Sequence, residues 1–206
     1  MAEPDRTAPS REKILENDFV LLRSLDTSRD GKELFEAASV QTNGEDIFRY
    51  HLANGPFSTY SDFEFYLKQK EAGSSELTVT VFSKPRDRLV GAVSFLNIRP
   101  DHGSVELGSI WYQKAVQRTE VNTNVMYLLF SYVFDELKYR RLEWKCNNEN
   151  EASKRAALRL GFQYEGLFRQ HFWDKGKNRD TAWFSVLDSE WPAVRERFET
   201  KLLRRR

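Results

Sequence analysis

Residues 117–134 read Gln-Arg-Thr-Glu-Val-Asn-Thr-Asn-Val-Met-Tyr-Leu-Leu-Phe-Ser-Tyr-Val-Phe, a polar opening followed by a strongly apolar segment. From the middle of this stretch onward, large apolar side chains recur at intervals of three and four residues, and this period predicts a helix with a wide buried face. The residues concerned are Met126, Leu129, Phe130, Val133, Phe134 and Leu137. The stretch therefore marks the entry into a buried helix, and the rest of the fold is arranged around it.

The polar opening, residues 117–124, has the chemistry of an anion-binding helix start. The first N–H groups of a helix lack partners within the helix, and the helix dipole favours a negative charge beside them. A turn in front of the helix adds further N–H groups, and Asn122 is the expected N-cap. An ordinary capped helix without a ligand has the same pattern, and on these grounds alone it is the simpler interpretation.

One predicted strand lies on each side of this helix. Residues 104–112 form the first, after the turn Pro100-Asp-His-Gly103, and the sequence Leu-Glu-Trp-Lys-Cys at 142–146 forms the second. A strand, a helix and a strand in this order favour a parallel pair with a right-handed crossover between them.

Alternation and turn signals predict five further strands, near 19–25, 77–81, 89–98, 162–172 and 181–187. Helices are expected around 34–38, from Ser61 or Asp62 to about 67, over 152–160 with Gly161 as the C-terminal stop, and over 191–202. The predicted fold class is α+β, or mixed α/β, with a mostly antiparallel, twisted central sheet of about seven strands flanked by helices.

The length of 206 residues suits one compact domain. Residues 1–17 are charged, carry two prolines and are expected to form a flexible arm. A single domain with a C-terminal helix is expected over 18–203, followed by a basic tail at 204–206.

Composition excludes several classes of function. The net charge of +1 gives no general argument for binding nucleic acid or a membrane. No apolar run approaches the ~20 residues needed to span a bilayer, and no signal-peptide core precedes residue 17, so a cytoplasmic location is expected. The single cysteine, Cys146, is expected to be a buried, inert thiol. His51, His102 and His171 are too far apart in sequence for a metal motif, so no metal is expected.

Several further segments, taken in order with the helix start, resemble the GNAT superfamily and within it the RimJ/RimL-type acetyltransferases, over about residues 19–192. They are Asn54-Gly-Pro-Phe57, Val105-Glu-Leu-Gly108, Gln117-Arg-Thr119, Arg140-Arg-Leu-Glu-Trp-Lys-Cys146, Asn150 with Ser153, Arg159-Leu-Gly-Phe162, Glu165-Gly-Leu-Phe-Arg169, Asn178-Arg-Asp-Thr181 and Phe184-Ser-Val-Leu-Asp-Ser-Glu-Trp-Pro192. Each segment is a weak signal, but the ordered set is specific, and it favours a ligand at the helix start.

The resemblance implies a binding site for acetyl-CoA. Its pyrophosphate would be held by a loop and the helix turn after it, comprising Gln117, Arg118, Thr119, Glu120, Val121, Asn122 and Thr123. The strand carrying Ser109, Ile110 and Trp111 would splay from its parallel neighbour, and its exposed backbone would bind the pantetheine arm like an added strand. Asn150 would bind the same arm, and Ser153 would lie near the thioester sulfur.

The implied activity is transfer of an acetyl group from acetyl-CoA to a primary amine, on a small molecule or at a protein N-terminus. Glu106 is the first candidate for the general base; the alternative is a surface carboxylate paired with a neighbouring strand. A backbone N–H of Ile110 or Trp111 would polarise the thioester carbonyl, a contribution of ~3 kcal/mol. Ser153 would pass a proton to the leaving thiolate, or it merely satisfies the start of its helix with Asn150 as N-cap.

Three departures from the family pattern support a second interpretation, and one of them is Asn124, which stands where relatives usually have glutamate. Glu120 and Asn122 stand where the family loop has small residues, which allow close approach of the backbone. This favours a module that binds or senses acyl-CoA without catalysis, and a degenerate structural domain is a third hypothesis. His171 is an alternative base or substrate contact. Five aromatic residues are candidates for an acceptor pocket or for the core: Phe57, Tyr60, Phe65, Trp173 and Trp183. A homodimer is possible.

Overall fold

The computed structural model describes residues 6–52 and 55–203, with side chains up to residue 200. The basic tail 204–206, the first five residues of the expected arm and Asn54 of the Asn-Gly-Pro-Phe segment lie outside the described residues. The strands are β1 (Leu15–Glu16), β2 (Val20–Ser24), β3 (Leu77–Ser83), β4 (Arg88–Arg99), β5 (Ser104–Tyr112), β6 (Arg141–Asn147), β7 (Gln163–Asp174) and β8 (Lys177–Leu187). The α-helices are α1 (Thr27–Ala38), α2 (Val40–Asn43), α3 (Tyr60–Ala72), α4 (Glu120–Ser131), α5 (Glu151–Leu160) and α6 (Trp191–Leu203).

The strands form an eight-stranded sheet in the order β1-β2-β3-β4-β5-β6-β8-β7. Strands β5 and β6 are parallel, with Ser104 opposite Arg141 and Leu107 opposite Trp144. The pairs β1–β2, β2–β3, β3–β4, β6–β8 and β7–β8 are antiparallel. The predicted fold class and parallel pair are therefore confirmed, and the strand beyond the expected seven is the short β1.

The described residues form two compact units, and the division passes through strands β4 and β5. Unit 1 comprises Asn97–Leu107, Met126–Arg206 and the described part of Met1–Ala8. Unit 2 comprises Pro9–Leu96 and Gly108–Val125. A single domain over 18–203 stays a prediction.

Unit 1 has an aromatic core beneath one face of β6. The apolar period of α4 is confirmed by Met126 and Phe130, which are fully buried. The Phe130 ring packs edge-on against Phe162 at 5.2 Å between ring centroids and also contacts Phe198 of α6. Because side chains alternate along a strand, the buried Leu142, Trp144 and Cys146 point to one face of β6, and Arg141, Glu143 and Lys145 point to the other.

Unit 2 has its own aromatic cluster, which holds one of the five aromatic residues proposed for an acceptor pocket. Phe48 is central, with ring centroids 5.2 Å from Phe57 and 5.5 Å from Trp111. Phe57 also contacts Phe63 and Tyr66. This cluster is the core of unit 2, packed by the edge-to-face contacts that aromatic quadrupoles favour.

Residues 6–17, expected to be a flexible arm, instead contact folded segments. Within unit 1, Arg6 donates from Nε to the carbonyl of Lys138 at 2.9 Å. Within unit 2, Arg11 donates to the carbonyl of Gly73 at 2.8 Å, and β1 pairs with β2. The expectation rested on charge and prolines, but an arginine fork can tie an irregular segment to backbone carbonyls that need a donor.

Helix α3 has its N-cap two or three residues earlier than Ser61 or Asp62, the caps that the sequence suggests. Its N-cap is Thr59, whose Oγ1 accepts from the N–H of Asp62 at 3.2 Å, so neither Ser61 nor Asp62 is the cap. Thr59, Ser61 and Asp62 all have suitable side-chain oxygens, and sequence alone does not rank them. At the end of α5, Gly161 has φ 106°, which confirms it as the left-handed C-terminal stop.

Gly91 of β4 is expected to be the glycine least tolerant of a side chain. A Cβ atom built at this position lies 2.2 Å from the backbone carbonyl oxygen of Trp111, a fixed atom. Gly91→Ala should therefore lower the free energy of unfolding by about 2–3 kcal/mol, measured by urea denaturation. Gly166→Ala is the matched control, since nothing lies within 4 Å of its added Cβ. Equal stabilities of the two variants would contradict the prediction.

Candidate functional site

The loop 117–119 and the start of α4 are held by side-chain hydrogen bonds within unit 2. Thr119 donates from Oγ1 to the carbonyl of Val116 at 2.7 Å and accepts from the N–H of Val121 at 3.3 Å. Gln117 donates from Nε2 to the carbonyl of Tyr112 at 3.1 Å. The helix begins at Glu120, so the cap is Thr119, and the prediction of Asn122 as N-cap is wrong because Asn122 already lies within the first turn.

Arg118 has the backbone geometry that the missing small residues were expected to supply. Its φ is 61°, in the left-handed region, and its side chain is exposed. A left-handed residue directly before a helix start turns successive N–H groups toward one side, which makes an anion-binding nest. An exposed guanidinium at the same point adds a charged donor for a phosphate.

The first turns of α4 divide into outer and inner residues. Glu120 and Asn122 are half-buried, whereas Val121 and Thr123 are buried. Asn124 is 1% exposed; its Nδ2 donates to the Glu120 carbonyl and its Oδ1 accepts from Asn17. Asn124 therefore anchors the N-terminal segment to α4.

The end of β5 is distorted where pantetheine binding was predicted. Ser109 has φ 47°, and its Oγ lies 3.5 Å from Nζ of Lys70. Nε2 of His51 lies 3.2 Å from the carbonyl oxygen of Ile110, so in the neutral tautomer that bonds here, Nε2 carries the proton. A left-handed residue interrupts strand alternation, so the face to which Ile110 points does not follow from regular alternation along β5. Trp111 is buried in the aromatic cluster.

The start of α5 brings Asn150 and Ser153 together within unit 1. Oδ1 of Asn150 accepts from the N–H of Ser153 at 3.0 Å, so Asn150 is the N-cap. Oγ of Ser153 accepts from Nε1 of Trp144 at 3.0 Å. Burial raises the pKa of the nearby Cys146 thiol, in keeping with an inert thiol. Both polar residues are thus held in place by the start of their own helix and by the adjacent strand.

Glu106 of β5 is a buried carboxylate with two donors. It is 6% exposed, and its Oε2 accepts from Nδ2 of Asn97 and from Nζ of Lys145, each at 2.7 Å. Glu106 is therefore paired with a neighbouring strand, as in the alternative to a general base. It lies inside the protein, however, and not at the surface.

Lys145 begins a ladder of alternating charges along β6. Its Nζ lies 2.9 Å from Oε2 of Glu143, and Nε of Arg141 lies 2.8 Å from Oε1 of the same Glu143. Arg141 also pairs with Glu165 of β7 through both terminal nitrogens. Sequence reasoning missed this ladder, although the alternation Arg-x-Glu-x-Lys at 141–145 is a signal for it, since residues two apart share a strand face.

The ladder holds its carboxylates in the charged form. Burial alone raises the pKa of Glu143, but the hydrogen bonds from Arg141 and Lys145 outweigh burial and lower it. The hydrogen bond from Arg141 likewise lowers the pKa of Glu165, with help from Ser185. The hydrogen bond to Glu165 in turn raises the pKa of Arg141, so its guanidinium stays charged.

An aromatic group on β7 and β8 lies beside the ladder. Nζ of Lys145 stands 4.0 Å above the ring centroid of Trp183, a cation–π contact. The Trp183 ring is 4.6 Å from Phe168 and 6.1 Å from His171. Burial, followed by the charges of Lys145 and Arg179, lowers the pKa of His171, so this imidazole is neutral at pH 7.

The other predicted pocket aromatics are distributed differently. Trp173 and Phe65 are 73% and 65% exposed. Tyr60 is half-buried and contacts Phe35 within unit 2. In the 178–180 segment, Asp180 accepts from the N–H of Gln170, which holds the irregular part of β7.

Two features of the described residues concern membrane spanning and metal binding. No α-helix among residues 6–52 and 55–203 has the length and apolarity to cross a membrane. In the same part of the chain, histidine, cysteine and acidic side chains do not gather in threes at a point where a metal ion would fit.

Comparisons with known proteins agree on one family. The family model described as "Acetyltransferase (GNAT) domain" matches residues 20–163. The chain is 26% identical over 182 residues to the "Uncharacterized N-acetyltransferase YoaA" of Bacillus subtilis (strain 168), covering 84% of this chain and 96% of that protein. It is 28% identical over 105 residues to the ribosomal-protein-serine acetyltransferase of Escherichia coli (strain K12), covering 50% of this chain and 58% of that relative. A crystal structure of a GCN5-related N-acetyltransferase from Brucella melitensis matches with a TM-score of 0.90 and 42% identity, over 95% of this chain and 87% of that one.

Proposed function

Because this chain belongs to the GNAT family of acetyltransferase enzymes and is RimJ/RimL-like, we propose that it transfers an acetyl group from acetyl-CoA to a primary amine. The amine belongs to a small molecule or to a protein N-terminus, and Glu106 assists as general base. The observation that carries the proposal is the start of α4, where a left-handed Arg118 precedes a helix capped by Thr119.

The residues of this loop fit an anionic co-substrate. Oγ1 of Thr119 accepts a hydrogen bond from the N–H of Val121. The exposed Arg118 side chain adds a positive charge at the N-terminus of a long buried helix. The charge of Arg118 and the dipole of α4 favour a pyrophosphate at this position. The loop Gln117–Asn122, with Thr123, is the proposed pyrophosphate site, and Ser109–Trp111 and Asn150 are the proposed pantetheine contacts. Acetyl-CoA supplies the activated acyl group.

Glu106 supplies the proton acceptor in this proposal. An ammonium group with a pKa near 10 has to lose a proton before it attacks a carbonyl carbon. Oε2 of Glu106 is fixed by Asn97 and Lys145, and a fixed carboxylate keeps its second oxygen in one orientation. A backbone N–H of Ile110 or Trp111 polarises the thioester carbonyl. Ser153 passes a proton to the leaving thiolate.

A second candidate function is binding or sensing of acyl-CoA without catalysis. The departures from the family pattern at Glu120, Asn122 and Asn124 favour it. Binding of CoA without turnover of any amine would support this function over acetyl transfer.

A CoA titration followed by an amine panel tests the proposal. At 100 times the Kd, a ligand specific for the folded state adds about 2.7 kcal/mol of stability, so the Tm should rise by about 5–10 °C. Thiol release from acetyl-CoA should then depend on an added amine. Arg118→Gly is the sharpest variant, because glycine accepts the left-handed φ while the side chain and its guanidinium are removed; it should weaken CoA binding about tenfold. An unchanged Tm in saturating CoA would sink the proposal.

A further inference from the structure

One face of β8 carries a row of polar side chains beside the charge ladder of unit 1. Arg179, Thr181 and Trp183 are alternate residues, so they share that face. The strand is in regular register with β6, which places Trp183 opposite Lys145 and Thr181 opposite Asn147. Arg179 is a buried arginine. The row therefore ends in a cation at one side and adjoins the Lys145 ammonium at the other.

Three polar atoms of this region are buried without a hydrogen-bond partner. They are Oγ1 of Thr181, Nε1 of Trp183 and Nδ1 of His171. Thr181 is only 1% exposed. A buried polar group without a partner is costly, by about 1–3 kcal/mol, and such groups are rare in native proteins. Three of them around one strand face indicate that something other than protein completes their hydrogen bonding.

The chemistry of these atoms defines the ligand. An indole Nε1 is a donor only, and a threonine hydroxyl both donates and accepts. The ligand therefore presents an acceptor atom to Trp183. Lys145, which also pairs with Glu106 and Glu143, lies against the same ring, and Arg179 lies in the same row, so an oxygen with negative charge would have two cations close by. A carboxylate meets both requirements, since it accepts several hydrogen bonds and pairs with cations.

The position of the row ties it to the proposed acceptor. Lys145 contacts both Glu106 and the ring of Trp183, so these two residues are separated by a single ammonium group. An acceptor whose amine meets Glu106 thus needs only a short connection to place an oxygen at Trp183. The amine and the carboxylate of an α-amino acid are carried by the same carbon atom, which makes such a short connection.

We propose that Thr181 and Trp183 form a subsite for the carboxylate of an α-amino acid acceptor, beside the base Glu106. This assignment rests on the proposed acetyl transfer and narrows its substrate class. The neighbouring rings of Phe168 and Phe172 are partly exposed on the adjacent strand, and they form an apolar wall for the acceptor side chain.

Matched acceptor pairs test the subsite directly. Phenylalanine, histidine and leucine are compared with 2-phenylethylamine, histamine and isopentylamine, each pair at an equal concentration of neutral amine. In every pair that turns over, the amino acid should have a kcat/KM at least about tenfold higher, because a hydrogen bond to a charged group contributes one or more factors of ten. Equal rates within the pairs would overturn the assignment.

Two conservative variants test whether Thr181 and Trp183 cause the preference for the amino acid over the amine. Thr181→Val and Trp183→Phe each remove one polar atom and keep most of the shape. Each should raise KM for the amino acid about tenfold and leave the decarboxylated amine unchanged. In the absence of substrate, Thr181→Val should keep or raise the Tm, since it deletes an unpartnered group. Thr78→Val is the control, because Thr78 Oγ1 is buried and bonded to Ser94 at 2.7 Å; its Tm should fall and its acceptor preference should stay.

A binding measurement separates failure of the subsite from failure of the proposed function. N-acetylphenylalanine should raise the Tm more than N-acetyl-2-phenylethylamine does, and the Thr181→Val variant should lose this difference. If no amine turns over but the difference in Tm between the two compounds is present, acetyl transfer is overturned and the subsite stands. Turnover without the difference would overturn the subsite alone. A Tm of Thr181→Val as low as that of Thr78→Val would mean that a structural water holds the hydroxyl, and would also overturn the subsite.

Discussion

Glu106→Gln is expected to lower kcat/KM for acetyl transfer at pH 7 by at least about 100-fold, the usual contribution of a positioned general base. The substitution keeps the shape and keeps an oxygen for Asn97 and Lys145, which both bond to Oε2 in the parent. What it removes is the ability to accept a proton from the amine. CoA binding should be unchanged, because no contact of the proposed pyrophosphate loop is altered.

The pH dependence identifies the mechanism. Near neutral pH almost all of the amine is protonated, so the reaction depends on the base. As the pH rises toward the amine pKa near 10, neutral amine becomes abundant without help. The deficit of Glu106→Gln should therefore be largest on the acid side and shrink with rising pH. Glu143→Gln is the control, since Glu143 also contacts Lys145; its deficit should be small at every pH. A profile of Glu106→Gln parallel to that of the parent would refute the role of Glu106.

Lys145→Met is expected to lower the free energy of unfolding by about 3–5 kcal/mol, the cost of removing one partner from a buried ion pair. The side chains of Lys145, Glu106 and Glu143 are 13%, 8% and 17% exposed. Without the ammonium, Glu106 keeps only the amide of Asn97 as a donor, while Glu143 keeps Arg141. The loss therefore falls mainly on Glu106, and the cation–π contact with Trp183 is lost as well. Urea denaturation at pH 7 measures the effect.

A double variant shows whether the unpaired charge is the cause. In Lys145→Met with Glu106→Gln, the buried carboxylate of Glu106 is gone, so most of the lost stability should return, and the two effects should be strongly non-additive. A single-variant loss below about 1 kcal/mol, the value typical of exposed ion pairs, would show that the ladder is solvated.

The fold was largely predictable because its signals are local. The three- and four-residue period from Met126 to Leu137 predicts a helix, and those residues are buried along α4 and the π-helical segment Tyr132–Glu136 that follows it. The order strand, helix, strand predicts the parallel pair, and β5 pairs with β6 in parallel. The short β1 was missed, since two residues carry no periodic signal.

The local geometry around the candidate site residues was predictable only in part. The loop 117–122 and the Asn150 cap follow from helix-start chemistry, but the choice of Thr119 over Asn122 as cap depends on the path of the chain, which puts Oγ1 near the N–H of Val121. The left-handed conformations of Ser109 and Arg118 have no sequence signal, because neither residue type favours φ > 0.

By itself, the sequence determined the secondary structure, the parallel crossing and the family resemblance, because periodicity, caps and ordered motifs depend on residues close together in the chain. Only the tertiary structure decided that Glu106 meets Lys145, which is 39 positions away, and that Thr181 and Trp183 stay without partners. The physical reason is that hydrogen bonding and ion pairing of buried side chains depend on strand register, and register is set by the packing of the whole sheet.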